Sequence, residues 1–262
     1  MKNKELTFWG HLEEFRQMLF RMIVALVALM VVIFFFKSFV FDTLILAPRS
    51  SDFILYRWLC ALSSRFTWAN LCPEPFHIDL ININLSSQFI IHLSSSFWIA
   101  LILGFPYLIW ELWRFIAPAL YPKEQRSIKR AFIFSSLLFY TGVVVAYLMI
   151  FPFALQFLGG YQVSVEVKNQ ISLQSYISTL TSLVLAMGIV FEFPVLIHIL
   201  SRIGIVNRAM LRKYRRHAIV VLLVLAAIIT PADIFSMILA AIPLYLLYEL
   251  SILTCKDAKA KE

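Results

Sequence analysis

Glycine and charge are both scarce in this chain. Only 7 of its 262 residues are glycine, and 15% are Asp, Glu, Lys or Arg, where an ordinary soluble domain has about a quarter charged. No GxxxxGKS, GxxxxGKT or GxGxxG occurs, so there is no glycine-rich cradle for a nucleotide phosphate. The five histidines (His11, His77, His92, His198, His217) form no HExxH and pair with no acid at ligand spacing, so no metal site is expected. Ser94, Ser95 and Ser96 lack a nearby base and read as polar packing inside an apolar stretch. With no nucleophile, metal set or cofactor motif, the sequence argues against an enzyme and calls for no cofactor.

What the chain has instead is apolar surface. Hydrophobic residues make up 61% of it, including 24 Phe and 8 Met, and the mean hydropathy is +0.84. One core of this size cannot hide that excess, so a lipid bilayer must solvate it. The net charge of +8 would also suit nucleic acid, but its distribution follows membrane orientation, and no nucleic-acid partner is expected.

About 20 apolar residues are needed to cross the ~30 Å hydrocarbon core. The runs that qualify predict an all-α, polytopic membrane protein with six transmembrane helices, at 18–36, 89–110, 131–153, 176–200, 218–229 and 234–253. The last two are short. The fifth holds only 12 residues, about 18 Å of helix, and Thr230-Pro231-Ala232-Asp233 leaves room only for a tight hairpin turn. Met1 to Arg16 carries charges of both signs, and the run after it is too long for a secretory h-region, so the first span is read as retained. Of the 23 lysines and arginines, 17 fall in the flanks and connections on one side and 5 on the other, which puts both termini in the cytoplasm. The largest outer segment is then the periplasmic loop 38–88, with Cys60 and Cys72. A disulfide between them would suit an oxidising compartment; two unpaired thiols are the alternative.

Three groups of residues stand out chemically. Phe8, Leu12, Phe15 and Leu19 make an apolar stripe suited to the membrane interface, with Glu13 and Glu14 beside or opposite it. Glu124 sits among Lys123, Arg126, Lys129 and Arg130 after the second span. Taken alone, these carboxylates are ordinary surface charges or local ion-pair partners. Glu192 differs, because it lies inside the fourth apolar run, where an ionised side chain costs ~3 kcal/mol or more. It is expected to face a bundle interior or groove. Asp233 reads equally as an N-cap for the last helix or as a functional acid.

Several motifs together resemble the TatC family of the twin-arginine (Tat) protein translocase, along nearly the whole chain, read as one domain over 1–262. His11-Leu12-Glu13-Glu14-Phe15-Arg16 resembles the family's H-L-x-E-(L/F)-R. Phe115-Ile116-Ala117-Pro118-Ala119-Leu120-Tyr121 followed by Glu124 is similar to its first cytoplasmic loop, and Leu46-Ala47-Pro48 to its proline after span one. Phe191-Glu192 with Pro194 matches the intramembrane glutamate, and Thr230-Pro231 with Asp233 the last outer turn. Two departures are visible. Ala232 stands where a second proline is frequent, and the stretch from Ser50 to Leu85, which holds both outer cysteines, is longer than usual.

The resemblance implies a receptor in the bacterial inner membrane. Its cytoplasmic carboxylates, Glu14 and Glu124, would take the Arg-Arg pair of signal peptides on folded precursor proteins, with Arg16 and Phe115 shaping the site. It implies TatA- and TatB-type single-span partners, a homo-oligomer within a receptor complex, export driven by the proton gradient, and Glu192 as a polar docking point. A competing reading is a proton-coupled small-molecule transporter using Glu192 as carrier, which would favour repeated halves.

Overall fold

The computed structural model of the chain describes residues 8–65, 72, 76, 78–119, 122–164, 166–167, 169–231 and 233–255; of residues 8, 65, 119 and 122–131 it describes the backbone alone. The first helix, α1 (Phe8–Phe35), has 28 residues and a length of about 42 Å. It begins ten residues before the expected span because the Phe8–Leu19 stripe continues into it without a break. Beyond it the chain stays against the bundle through a π-helical turn (Phe39–Ile45) and a 3-10 turn (Ala47–Arg49). The Tyr147 hydroxyl donates to the Leu44 carbonyl at 2.5 Å and that of Tyr176 to the Ile45 carbonyl at 2.7 Å. Pro48 is fully buried there.

The outer segment is not all loop. It contains a helix, α2 (Ile54–Arg65), whose Cys60 is joined to Cys72 by a disulfide with Cα atoms 4.4 Å apart. Closing a loop of this size removes about 3 kcal/mol of chain entropy from the unfolded state on the simplest model. Next come β1 (Leu80–Ile81) and α3 (Ser87–Ile116), and a 3-10 turn at Ala117–Ala119 around Pro118. The next rod is α4 (Pro122–Val145), a π-helical turn (Ala146–Ile150) and α5 (Phe151–Gly160) end to end. β2 (Ile171–Ser172) pairs in parallel with β1, Leu80 opposite Ile171, and forms an outer cap.

The fourth apolar run, expected as one helix, is two. α6 (Leu173–Val190) stops at a turn through Phe191 and Glu192, and α7 (Phe193–Ile203) restarts. The break puts Pro194 in the first turn of a new helix, where its missing N–H leaves no bond unmade. α7 ends on Gly204 at φ 87°, a left-handed conformation that glycine adopts freely. Then follow α8 (Arg208–Lys213), α9 (Arg215–Ile229) and α10 (Ile234–Thr254). Among the described residues, five helical stretches are long and apolar enough to cross a membrane: Trp9–Phe35, Ser87–Ile116, Phe132–Gly160, Leu173–Ile203 and Ile234–Thr254. α9, at 15 residues and about 22 Å, packs along α10 as the short arm of the terminal hairpin.

Lipid is as apolar as leucine, so these helices associate by close packing rather than by escape from water. α4 and α6 approach most tightly at two glycines. A Cβ on Gly142 would stand 2.7 Å from the Met187 carbonyl oxygen, and one on Gly188 would stand 2.7 Å from the Phe139 ring. Gly188 lies within four residues of the α6–α7 break, and a Cβ on Gly142 would also meet the Phe191 side chain in that break, at 2.8 Å. Gly142→Ala is therefore expected to destabilise the protein by about 1–3 kcal/mol through overpacking. An unchanged thermal midpoint in detergent would mean the two helices do not approach this closely. The outer surfaces of α1, α9 and α10 are lined by exposed Val24, Val27, Val31, Val224, Ile228, Ile238 and Leu246, the surface a bilayer would cover.

Candidate functional site

The expected cytoplasmic ends of α1 and α3 meet. The Phe15 and Phe115 rings lie 5.6 Å apart, tilted by 57°, which sets the Glu13–Arg16 stretch beside the exit of α3. Within that stretch the two acids differ. The Arg16 guanidinium donates to Glu13 at 2.6 Å and the Gln17 amide donates to the same oxygen at 3.1 Å. Glu14 is exposed and has no ion-pair partner among the described residues. Arg16 is thus turned onto Glu13, and the carboxylate left open to a cationic ligand is that of Glu14. Glu124 belongs to the first turn of α4, with its side chain outside the described residues; Pro118 is exposed in the turn that redirects the chain toward it.

Just inside this end lies an ion pair that the sequence reading passed over. Arg21 of α1 donates Nε at 3.1 Å and Nη2 at 2.9 Å to the same Glu111 oxygen, and the Tyr107 hydroxyl donates to the other at 3.2 Å. The Glu111 carboxylate is 4% exposed. The arrangement recurs at the end of the terminal hairpin, where Arg215 donates to Glu249 at 2.6 Å and Tyr245 to its second oxygen at 3.0 Å. Tyr107 to Glu111 and Tyr245 to Glu249 share the spacing that puts both side chains on one helix face. In each case the arginine comes from the helix packed alongside.

Glu192 sits in the α6–α7 break. The Ser135 hydroxyl of α4 donates to its Oε2 at 2.5 Å, while its Oε1 is buried without a hydrogen-bond partner among the described residues. The break exists in part because Phe191 and Glu192 close a turn on the Met187 and Ile189 carbonyls at 2.9 and 3.0 Å.

The sequence pattern of the family described as "Sec-independent protein translocase protein (TatC)" matches residues 10–243. The chain belongs to the TatC family. It is 36% identical over 256 residues to the TatC of Blattabacterium sp. subsp. Periplaneta americana, covering 96% of each chain. It is 32% identical to that of Aquifex aeolicus over 254 residues, 95% of this chain and 96% of the relative. The solved structure titled "Crystal Structure of Twin Arginine Translocase Receptor- TatC in DDM" superposes with a TM-score of 0.69 at 31% identity, covering 94% of this chain and 99% of that one. This TatC-family chain is accordingly a multi-pass membrane component of the twin-arginine protein translocation machinery, in a transport role.

The remaining motif residues of this TatC-family chain lie toward the opposite end. Asp233 caps α10, with Oδ1 accepting from the Ser236 amide at 2.5 Å; it is 8% exposed, and its Oδ2 has no partner among the described residues. Pro231 lines a small outer cavity with Tyr176 and Ile171. Among the described residues, the acids left with unfilled positions include Glu14, exposed beside the Phe15–Phe115 contact, and Glu192, in the α6–α7 break.

Proposed function

We propose that this chain is the receptor subunit of the translocase in a bacterial inner membrane. Its cytoplasmic acids, Glu14 and Glu124, hold the Arg-Arg pair of signal peptides, with Arg16 and Phe115 shaping the site. The observation that carries this reading is Glu14, exposed and without an ion-pair partner among the described residues, beside the Phe15–Phe115 contact that joins α1 to the exit of α3. A guanidinium meets a carboxylate through two parallel hydrogen bonds, which a lysine ammonium cannot reproduce. Exposed ion pairs contribute only about 0–1 kcal/mol each, whereas micromolar affinity needs about 8 kcal/mol. The signal's apolar segment supplies most of the remainder by lying in the bilayer or against the spans, and the arginines supply selectivity.

TatA- and TatB-type single-span partners then dock against the membrane-facing surface, with Glu192 as their polar contact. The chain works as a homo-oligomer within a receptor complex, and the proton gradient drives passage of folded cargo. Titrating a labelled Arg-Arg signal peptide and its Lys-Lys variant against the protein in nanodiscs tests the recognition step. The Arg-Arg peptide is expected to bind severalfold tighter, and Glu14→Gln or Glu124→Gln to remove most of that preference. Equal binding of the two peptides, unaltered by either substitution, would overturn the receptor reading in favour of a proton-coupled transporter.

A further inference from the structure

The long outer segment contains a helix with no part in signal recognition. Along α2, Ile54, Trp58 and Leu62 recur every fourth residue and are 56%, 70% and 41% exposed, which makes one apolar stripe. The opposite side is fastened to the bundle. Tyr56 is 1% exposed, its ring lies 5.2 Å from that of Phe76, and its hydroxyl donates to the Pro152 carbonyl at 2.8 Å. Arg57 and Ser64, both exposed, lie roughly 100° and 120° around the helix from Trp58, on one side of the stripe. Cys60 lies about 200° from Trp58, so the bridge to Cys72 is made away from the stripe.

Depth decides what covers the stripe. The last cytoplasmic charges before the third span are Lys129 and Arg130. A hydrocarbon core of ~30 Å takes about 20 residues of helix from there, so the outer boundary falls near Phe151. Tyr56 holds α2 to the next residue, Pro152. The Tyr56 end of the helix is thus fixed at the level where hydrocarbon ends. The end of α1 leads up to the same level with Phe35, Phe36 and Phe39, which are 80%, 61% and 63% exposed. An exposed tryptophan between aliphatic neighbours, with an arginine on the adjoining side, is the composition that settles at a membrane–water interface.

We propose that α2 is an interfacial anchor whose Ile54–Trp58–Leu62 stripe rests on the outer-leaflet lipids, held in that orientation by the Tyr56–Pro152 hydrogen bond and the Cys60–Cys72 bridge. This adds a lateral foot to the bundle on the side away from the signal-peptide site, independent of whether that site binds twin arginines. The partner is a lipid surface rather than a protein, because the stripe starts where the hydrocarbon ends and carries the tryptophan-and-aliphatic composition of an interface.

A nitroxide carried on p-acetylphenylalanine, which leaves all three cysteines native, would be placed in turn at Ile54, Trp58, Leu62, Arg57 and Ser64. Collision with oxygen and with a water-soluble nickel chelate would be read by power saturation in phosphatidylethanolamine/phosphatidylglycerol nanodiscs. At the three stripe positions oxygen accessibility is expected to exceed nickel accessibility severalfold, with the order reversed at Arg57 and Ser64. Nickel access at the stripe equal to that at Arg57 would place α2 in water and overturn the proposal. Protection of the stripe from both reagents would also overturn it, by showing that protein, a second copy or another subunit, covers the face.

Discussion

Arg21→Leu is expected to lower the thermal midpoint and folded yield of the protein, and adding Glu111→Leu to recover most of the loss. The reasoning starts from the Glu111 carboxylate, which is 4% exposed and takes both guanidinium contacts on one oxygen. Without Arg21 it keeps, among the described residues, only the Tyr107 hydroxyl and Arg114 at 4.0 Å. A buried acceptor deprived of its partner costs about 1–3 kcal/mol, and more when charged. Replacing both members of a buried pair by apolar groups is often neutral, hence the recovery in the double variant. Arg21→Lys should fall between, since an ammonium keeps the charge but not the fork. The pair also bears on recognition, for it fastens α1 to α3 just inside the Phe15–Phe115 contact. On the receptor reading, Arg21→Leu should therefore narrow the preference for Arg-Arg over Lys-Lys peptides even in protein that has folded. A double variant as unstable as the single one would show that the arginine stem, not the orphaned carboxylate, accounts for the loss.

What could be read from the sequence, and what could not, follows from the range over which each signal acts. Span positions depend on runs of apolar residues, so α1, α3 and α10 lie close to where the runs put them. The Arg21–Glu111 pair joins residues 90 apart, and nothing local says that two opposite charges in different apolar runs will meet. Its only trace was that Arg21 lies inside one predicted span and Glu111 one residue beyond another. The α6–α7 break needed knowledge of packing: Pro194 marked a weakness, but the turn forms at Phe191 and Glu192, beside the glycines that bring α4 against α6. The stripe of α2 was present at helical spacing. It went unread because a helix of 12 residues falls short of the roughly 20 apolar residues that mark a span. At the candidate site, the sequence offered Glu13 and Glu14 without distinguishing them. Only the placement of Arg16 and Gln17 around Glu13 leaves Glu14 open.

Glu192→Ala should abolish export of a folded precursor into energised membrane vesicles while leaving signal-peptide affinity unchanged. The acid lies 11 residues before the end of α7 at Ile203, about 17 Å inside the membrane from that cytoplasmic end. Substituting it removes no group from the surface that carries Glu14. What it removes is a buried oxygen without a partner among the described residues, next to one held by Ser135 at 2.5 Å. In lipid an unsatisfied polar atom costs several kcal/mol, so a single-span helix that brings a hydrogen-bond donor to Oε1 would gain about 1–2 kcal/mol of association from that contact. Glu192→Gln separates two versions of the role. The amide retains an oxygen acceptor for a docking helix but cannot take up or release a proton, so partial export would assign docking and complete loss would assign proton exchange. Cross-linking of the single-span partner to α7 under the same conditions should fall in the alanine variant and persist in the glutamine one if docking is the role. Loss of signal-peptide binding in Glu192→Ala would sink the division of labour, because the two acids would then belong to one site.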